Sequence, residues 1–339
     1  MSQCVKLFNM DLHISVIEDV KTHLKRYFEN NVEITEWCVS GHHSIVNKPK
    51  ASPKWVNASN WRHIDEEAVR RFVTEYKGFL SSFDGFIVTH SPVFALLFQA
   101  FNKPIYVLNS CRFDQPMSGQ DSDFRRYFIE QLRVMDHQGL LTIVSNNKGD
   151  QVYLERETGI RSAHIPSLCS YTGVSYKGIR DQFLMWGNNE LNIQNVVHKS
   201  RLGFGYPWSL VCEFKAIIHI PYEISTMSLF EHYTSSIPLI IPSKGFLKQL
   251  GTLWTLSAYN MKGDLDAWIE NADFYDVENM PYITYFDSWY HLQVILDTLD
   301  CATVHRQMVE HNEIRRKRIE NDMDKSFELF ARGSSNQEA

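Results

Sequence analysis

The chain has 339 residues, which is enough for two domains of about 150 residues each. Its 44% hydrophobic and 22% charged residues are typical of a globular protein and argue against a disordered one. The net charge of −6 argues against a general nucleic-acid or anionic-membrane binder, because both need a surplus of Lys and Arg.

The six cysteines are scattered and form no CxxC pair, which predicts reduced thiols and neither disulfides nor a zinc site. Residues 1–6 contain no apolar core of a signal peptide, and the apolar stretches are too short to span a bilayer. We therefore expect a cytoplasmic protein without an integral membrane segment.

In the first half, short apolar runs alternate with segments of helical period, which predicts a parallel sheet flanked by helices. Strands are predicted at residues 5–10, 32–39, 85–89, 105–109 and 140–145. Helices are predicted at residues 15–28, after a capping box formed by Ser15 and Glu18, at 66–80, at 92–101 after the N-cap Ser91, and at 124–135.

Residues 168–178 are rich in Ser, Thr, Gly and Tyr and are the candidate linker. Beyond them the alternation resumes. Strands are predicted at residues 183–186, 195–198, 216–220, 238–241 and 282–286, with helices at 227–235, 287–299 and 303–330. The pattern predicts an α/β protein of two Rossmann-like, doubly wound domains that face a central cleft, at residues 1–170 and 171–310, followed by a C-terminal helix and tail at 311–339.

Ligands of open parallel sheets bind beyond the carboxyl ends of the strands. In the first half the residues just after the predicted strands are polar or titratable: Asp11, His13, His42, His43, His90, Ser110, Arg112, Asn146 and Asn147. They indicate either a binding site or the ordinary polarity of loops.

In the second half, residues 215–242 read as a strand, a turn, a helix and a second strand. Ser225, Thr226 and Ser228 place hydroxyl and backbone N–H groups at the predicted helix N-terminus, which favours an anion site. Glu231 follows one turn later. The alternative is that Ser228 and Glu231 form a capping box and nothing more.

This segment resembles the donor region of GT-B glycosyltransferases, and the overall layout of the chain resembles the GT-B enzymes that large DNA viruses and bacteria use on surface glycans. Glu223 and Glu231 have the E-x7-E spacing of that family, and Phe230-Glu231 followed by Ile237-Pro238 is similar to its "FE…G-x-P" stretch. The chain departs from the family at Ile237, where a glycine is usual, and in a loop poor in glycine. The motif covers about 30 residues, whereas the layout resembles the family over nearly the whole chain.

The resemblance implies an acceptor-side first domain and a second domain that binds a nucleotide-sugar. Glu231 would bind the ribose, and Ser225, Thr226, Met227 and Ser228 would surround the diphosphate. Glu223 would contact the donor sugar in a retaining enzyme, or be a turn residue in an inverting one. Lys199 and Arg201 would supply positive charge to the departing diphosphate, or be solvated loop cations. Tyr206 and Trp208 would wall the base pocket or belong to a buried aromatic cluster.

His13 is the expected general base, oriented by Asp11, with His43 and His90 as alternatives and Arg112 as a further acceptor-side residue. No metal is expected. Cys38, His42 and His43 lack a fourth ligand, and the Asp121-Ser-Asp123 sequence precedes a helix, where acids favour the dipole. A metal-dependent GT-A enzyme is therefore disfavoured.

The expected function is inverting, metal-independent transfer of a sugar from a UDP- or GDP-linked donor to a hydroxyl of a glycan acceptor, with no further cofactor and no nucleic-acid partner. Two alternatives are a nucleotide-sugar epimerase or hydrolase of GT-B shape, and a non-catalytic glycan- or partner-binding protein with a decayed site. A dinucleotide oxidoreductase is weaker, because no GxGxxG follows the first strand.

Overall fold

The computed structural model describes residues 4–39, 53–117, 121–188, 193–203, 205–253 and 264–335. The chain forms two compact units. The first unit comprises Met1–Ser167 and Ile319–Ala339, and the second comprises Leu168–Arg318. The boundary after Ser167 thus falls three residues before the end of the expected 1–170 domain. Most of the segment 311–339, which was expected as a separate helix and tail, belongs to the first unit.

The first unit contains a parallel sheet of six strands in the order β2-β1-β3-β4-β5-β6. The strands are β1 Val5–Asp11, β2 Val32–Cys38, β3 Gly85–His90, β4 Ile105–Asn109, β5 Leu141–Ser145 and β6 Ala163–His164. Its helices are α1 Ile14–Tyr27, α2 Glu66–Leu80, α3 Asp123–His137 and α4 Lys148–Thr158, and the last part of the C-terminal helix Cys301–Ser335 joins them.

The interior of this sheet is apolar because parallel strands are covered on both faces. Phe8 of β1 is fully buried, and its ring packs edge-on against Trp37 at 4.9 Å between ring centroids. On the C-terminal helix, Ser326 shares a 2.9 Å hydrogen bond with the hydroxyl of Tyr106, whose ring packs against Phe327. These contacts attach the end of the chain to the first unit.

The second unit contains a parallel sheet of five strands in the order β11-β10-β9-β7-β8. The strands are β7 Phe183–Trp186, β8 Val196–His198, β9 Ile217–His219, β10 Leu239–Pro242 and β11 Thr284–Phe286. The helices are α5 Trp208–Val211, α6 Met227–Thr234, α7 Lys244–Leu250, α8 Leu265–Glu270, α9 Trp289–Thr298 and α10 Cys301–Ser335, which from Ile319 onward belongs to the first unit.

The two sheets share one topology. Counted along the chain within each unit, both start with the strand order 2-1-3-4-5. The order reverses between β1 and β3 in the first unit and between β7 and β9 in the second. These are the topological switch points, where doubly wound sheets bind ligands beyond the carboxyl ends of their strands.

The second unit also contains a fully buried arginine. Nε of Arg315 donates to Oδ1 of Asn279 at 3.1 Å, and a terminal nitrogen donates to Oγ1 of Thr234 at 3.0 Å. The guanidinium also lies over the ring of Tyr233, 5.5 Å from its centroid. Arg315 therefore joins α10 to α6 within this unit.

Two predictions about the first helices are wrong. Helix α1 begins at Ile14 with His13 as its N-cap, so Ser15 lies inside the helix and forms no capping box. The α-helix predicted at residues 92–101 is two 3-10 segments, Pro92–Leu97 and Gln99–Phe101. The first is buried throughout, so packing on all sides, and not one amphipathic face, sets its conformation. The cap itself was predicted correctly, because Ser91 Oγ accepts from the backbone N–H of Val93.

Five of the six cysteines are buried, and all six are free thiols, as the sequence predicts. Across the described ranges, no helix combines the length and apolar character needed to cross a membrane.

Candidate functional site

The segment from β9 to α6 forms the predicted strand, turn and helix. Its N-cap is Thr226, whose backbone is extended with φ −143° and ψ 141°. The Thr226 and Ser228 hydroxyl oxygens lie 3.2 Å apart. Ser228 and Glu231 therefore lie inside the helix, and the alternative of a Ser228–Glu231 capping box is wrong. The first N–H groups of an α-helix have no intrahelical acceptor, so this end of α6 suits an anion.

Glu231 is buried, at 9% exposure, on the side of α6. Its Oε1 accepts a hydrogen bond from the hydroxyl of Tyr171, whose ring packs edge-on against Trp208 at 5.6 Å between centroids. Burial, followed by the negative charge of Glu231, raises the pKa of Tyr206. Glu231 thus bonds Tyr171 and acts on Tyr206, and Trp208 packs against Tyr171, so both residues expected at the base pocket lie in the same group of side chains.

Glu223, the first acid of the spacing, lies in the loop between β9 and α6 and is 8% exposed. Its Oε1 accepts from the backbone N–H of Ile224 at 2.8 Å. One of its oxygens therefore stabilises the turn. This agrees with the turn role, which is one of the two roles that the sequence allows for Glu223. Its contact with a donor sugar stays a prediction.

Lys199 and Arg201 lie on a 3-10 turn, Lys199–Leu202, directly after β8. The Lys199 ammonium lies over the ring of Trp186, 5.4 Å from its centroid, and burial lowers the pKa of the ammonium. Arg201 is exposed. The structure thus places Lys199, but not Arg201, in a partly enclosed position at the carboxyl end of the sheet.

Sequence reasoning missed two buried histidines beside Lys199. His219 ends β9 and is 1% exposed, and His232 lies in α6 and is 4% exposed. Their ring centroids are 6.2 Å apart. Burial, and then the charge of Lys199, lowers the pKa of His219 to about 3; burial, His219 and Lys199 lower that of His232 well below its usual value. The signal in the sequence is a histidine at the end of an apolar run. The predicted strand runs on to Ile220, so it places His219 inside the strand and not at its end.

In the first unit, the carboxyl ends of β1 and β3 bring His13 and His90 together. Their rings are stacked, with centroids 6.1 Å apart and planes at 23°. His13 is exposed, whereas a ring nitrogen of His90 hydrogen-bonds Gln115 at 2.7 Å. Burial, then the charge of His13, lowers the pKa of His90 to about 3. His90 also has a φ of 75°, which is uncommon outside glycine and is often retained at functional sites.

Asp11, expected to orient His13, is 1% exposed at the end of β1. Its Oδ2 accepts from the side-chain amide of Asn9 at 3.0 Å. Its orienting role therefore stays a prediction.

The remaining residues after the strands of the first unit have structural contacts. Arg112 is 2% exposed, and its Nε is 3.6 Å from Oδ1 of Asp150. Asn147 caps α4 by accepting from the backbone N–H of Asp150 at 2.8 Å, and Asn146 donates to Ser167. An acceptor-side role of Arg112 stays a prediction. His42 and His43 lie outside the described residues.

Within the described ranges, no group of three or more His, Cys, Asp and Glu side chains is placed to hold a metal ion. The positive charges at the candidate site of the second unit are those of Lys199 and Arg201, and Lys199 is the more enclosed of the two.

A comparison with protein-family models gives no match, and neither does a comparison with curated proteins. Among solved structures, the chain is similar to the glycosyltransferase SnogD from Streptomyces nogalater, with 12% identity, a TM-score of 0.49 and coverage of 97% of this chain and 99% of that one. It is also similar to the spinosyn rhamnosyltransferase SpnG complexed with thymidine diphosphate, with 10% identity, a TM-score of 0.46 and coverage of 91% and 96%.

A third similar structure is S. aureus MnaA with UDP, with 11% identity, a TM-score of 0.41 and coverage of 86% of this chain and 95% of that one. At such identities and TM-scores, these likenesses carry no argument about activity. The parallel sheets of six and five strands, with their shared strand order, by themselves make this an α/β chain of two Rossmann-like units.

Proposed function

We propose that the protein is a glycosyltransferase that moves a sugar from a nucleoside-diphosphate sugar to a hydroxyl of a glycan acceptor. The observation that carries the proposal is the β9–α6 segment of the second unit. There a helix N-terminus follows a strand at the switch point, and a buried carboxylate, Glu231, lies on the same helix. The E-x7-E resemblance supports the same conclusion.

In this proposal the donor lies beyond the carboxyl ends of β7 and β9. The N–H and hydroxyl groups of residues 225–228 bind the diphosphate, because a helix N-terminus favours negative charge. Glu231 accepts from the ribose hydroxyls, and the adjacent Tyr206 and Trp208 offer apolar surface to the base. Glu223 is a turn residue that also borders the donor sugar.

Lys199 has the role that a divalent cation plays in metal-dependent transferases. As the bond between the anomeric carbon and the phosphate oxygen breaks, negative charge grows on the leaving diphosphate, and a nearby ammonium stabilises it. Arg201, which is exposed, adds to the positive potential at the same turn. We therefore propose a reaction that needs no metal.

We propose His13 as the general base. The acceptor oxygen attacks the anomeric carbon, its proton passes to the His13 imidazole, and the nucleoside diphosphate leaves with the electron pair of the broken bond. This single displacement inverts the anomeric configuration. His13 is exposed, whereas His90 is partly buried and held by Gln115.

The buried free thiols favour a reducing compartment, so we place the reaction in the cytoplasm. The test is to incubate the protein with UDP- and GDP-linked sugars, with and without a mixture of glycan acceptors, and to measure nucleotide release and labelled glycan. Release that depends on the acceptor supports transfer. Conversion or hydrolysis of the donor without an acceptor indicates an epimerase or hydrolase, and binding without turnover indicates a non-catalytic protein.

A further inference from the structure

Four side chains meet at the switch point of the second unit and have no assigned role as a group: Trp186, Lys199, His219 and His232, here called the histidine cluster. Trp186 ends β7, Lys199 follows β8, His219 ends β9 and His232 lies on α6. The edge of Trp186 packs against His232 with 4.5 Å between ring centroids. The cluster therefore joins three neighbouring strands and the helix of the proposed donor site.

Both imidazoles of the cluster carry an unsatisfied buried atom. Nδ1 of His219 and Nδ1 of His232 have no hydrogen-bond partner within the described part of the chain. Each side chain is more than nine-tenths buried. A buried polar atom without a partner destabilises the fold, so two such atoms side by side indicate a ligand that satisfies them.

The Lys199 ammonium is the third unsatisfied group. Its described contact is with the face of Trp186, and no hydrogen bond or ion pair joins it to another described residue. The charge of Lys199 lowers the pKa of both imidazoles, and His219 lowers the pKa of His232. No carboxylate contributes to either of these pKa shifts. The groups that face one another here are thus one cation and two neutral imidazoles.

We propose that the histidine cluster is an anion subsite that holds the terminal phosphate of the donor's diphosphate. Lys199 supplies the charge, and His219 and His232 donate Nδ1–H hydrogen bonds to phosphate oxygens. Neutral imidazoles are suited to this, because each donates a hydrogen bond without adding a second buried cation next to Lys199. The inference rests on the proposed function, and it assigns two residues that the donor motif does not contain.

The experiment is calorimetric titration of the full-length protein with the nucleoside diphosphate that it binds best and with the matching monophosphate. Lys199→Met and His219→Leu should each weaken diphosphate binding about 10- to 100-fold, the range for a charge-assisted hydrogen bond, and leave monophosphate affinity within about twofold. His219→Asn, whose side-chain amide places an N–H near the Nδ1 position, should recover most of the loss.

Lys215→Met is the matched control. Lys215 also lies over an aromatic ring, 5.0 Å from the centroid of Phe183. It precedes β9, however, and so lies at the amino-terminal end of the strands, whereas the histidine cluster lies at their carboxyl-terminal end. This variant should bind both nucleotides as the parent protein does. Thermal melting of each variant shows that it is folded, and His219→Asn keeps the test valid if His219→Leu unfolds.

Unchanged diphosphate affinity in Lys199→Met and His219→Leu overturns the inference while leaving the proposed function intact. Equal losses for diphosphate and monophosphate also overturn it, because the subsite would then not hold the terminal phosphate. A preference for donors with a carboxylate on the sugar, lost in Lys199→Met while diphosphate affinity stays, assigns the subsite to that carboxylate and contradicts the proposal. If the parent protein binds no nucleotide, the proposed function fails, and titration with pyrophosphate then decides whether the cluster binds anions at all.

Discussion

The hydroxyl of Tyr171 donates a hydrogen bond to Oε1 of Glu231. The two residues are 60 positions apart in the chain but belong to the same unit. The bond fixes the orientation of a carboxylate that is itself nine-tenths buried. A carboxylate oriented in this way is suited to accept hydrogen bonds from a pair of ribose hydroxyls.

The first prediction concerns this carboxylate. Glu231→Ala should weaken nucleoside-diphosphate binding about 10- to 100-fold, because it removes a charged acceptor from the ribose. Tyr171→Phe should cost less, about threefold to tenfold, because it removes only the positioning bond. Glu213→Ala is the control, since Glu213 pairs with Arg180 ahead of β9. Equal affinity of the parent protein and Glu231→Ala would leave Glu231 as a structural residue of α6.

The second prediction concerns the base. His13→Ala should lower kcat for transfer about 100- to 10,000-fold, because the acceptor hydroxyl loses its proton acceptor, and should leave donor affinity unchanged. The measurement is steady-state kinetics beside calorimetry. His137→Ala, which removes another exposed histidine at the last turn of α3, should retain full activity. Full activity in His13→Ala would move the role of the base to another residue.

The third prediction is a pH dependence of stability. The folded protein holds His219 with a pKa of about 3, whereas the unfolded chain has the ordinary value of 6.5. Below pH 6.5 the unfolded chain therefore binds a proton that the folded protein excludes. Stability present above pH 6.5 is lost as pH falls towards 3, at about 1.4 kcal/mol per pH unit for this one group.

His219→Leu removes that loss. Urea unfolding at pH 7.5 and pH 5.0 should show the free-energy difference between the variant and the parent protein shifting by about 2 kcal/mol in favour of the variant at the lower pH. An equal difference at both pH values would mean that His219 takes up a proton in the folded protein as readily as in the unfolded chain. Titrating groups away from His219 cancel in this comparison, because their surroundings are the same in both proteins, whereas His232 is the neighbour whose pKa also depends on His219.

The fourth prediction concerns the turn after β7. A Cβ at Gly187 would lie 2.8 Å from Cβ of Ile220, closer than real Cβ contacts occur. Gly187→Ala should therefore force β7 and the loop after β9 apart, lower the melting temperature and weaken nucleotide binding. Gly245→Ala is the control. Nothing lies within 4 Å of a Cβ there, and alanine in the helix α7 should raise stability by about 0.5–1 kcal/mol. A Gly187→Ala variant as stable as its parent would contradict the close approach.

Most strands could be predicted because parallel strands are buried on both faces and appear as apolar runs. Phe183–Trp186 begins and ends where its apolar run does, and Ile105–Asn109 extends one residue beyond its run. The helix predicted to start at Met227 does start there. The capping box expected at Ser15 is wrong, because the N-cap of α1 is His13, where the extended chain ends. The alternative capping box at Ser228 is also wrong, because the N-cap of α6 is Thr226.

The candidate site was predictable only where it is contiguous in sequence. The residues from Glu223 to Glu231 form one turn and the start of one helix, and the sequence pattern identifies them together. The histidine cluster combines residues from three strands and a helix, and its members are brought together only by the order β9-β7-β8. Burial also separates His219 and His232 from ordinary loop histidines, and burial depends on packing that no local pattern contains.

A donor site at the N-terminus of α6 can be tested by titrating the full-length protein with UDP, GDP, CMP, dTDP and NAD, read by thermal shift and calorimetry. One nucleoside diphosphate should raise the melting temperature, Glu231→Ala should lose this shift, and NAD should give none. Absence of a shift with every nucleotide, or an equal shift in Glu231→Ala, would contradict a donor site at the N-terminus of α6.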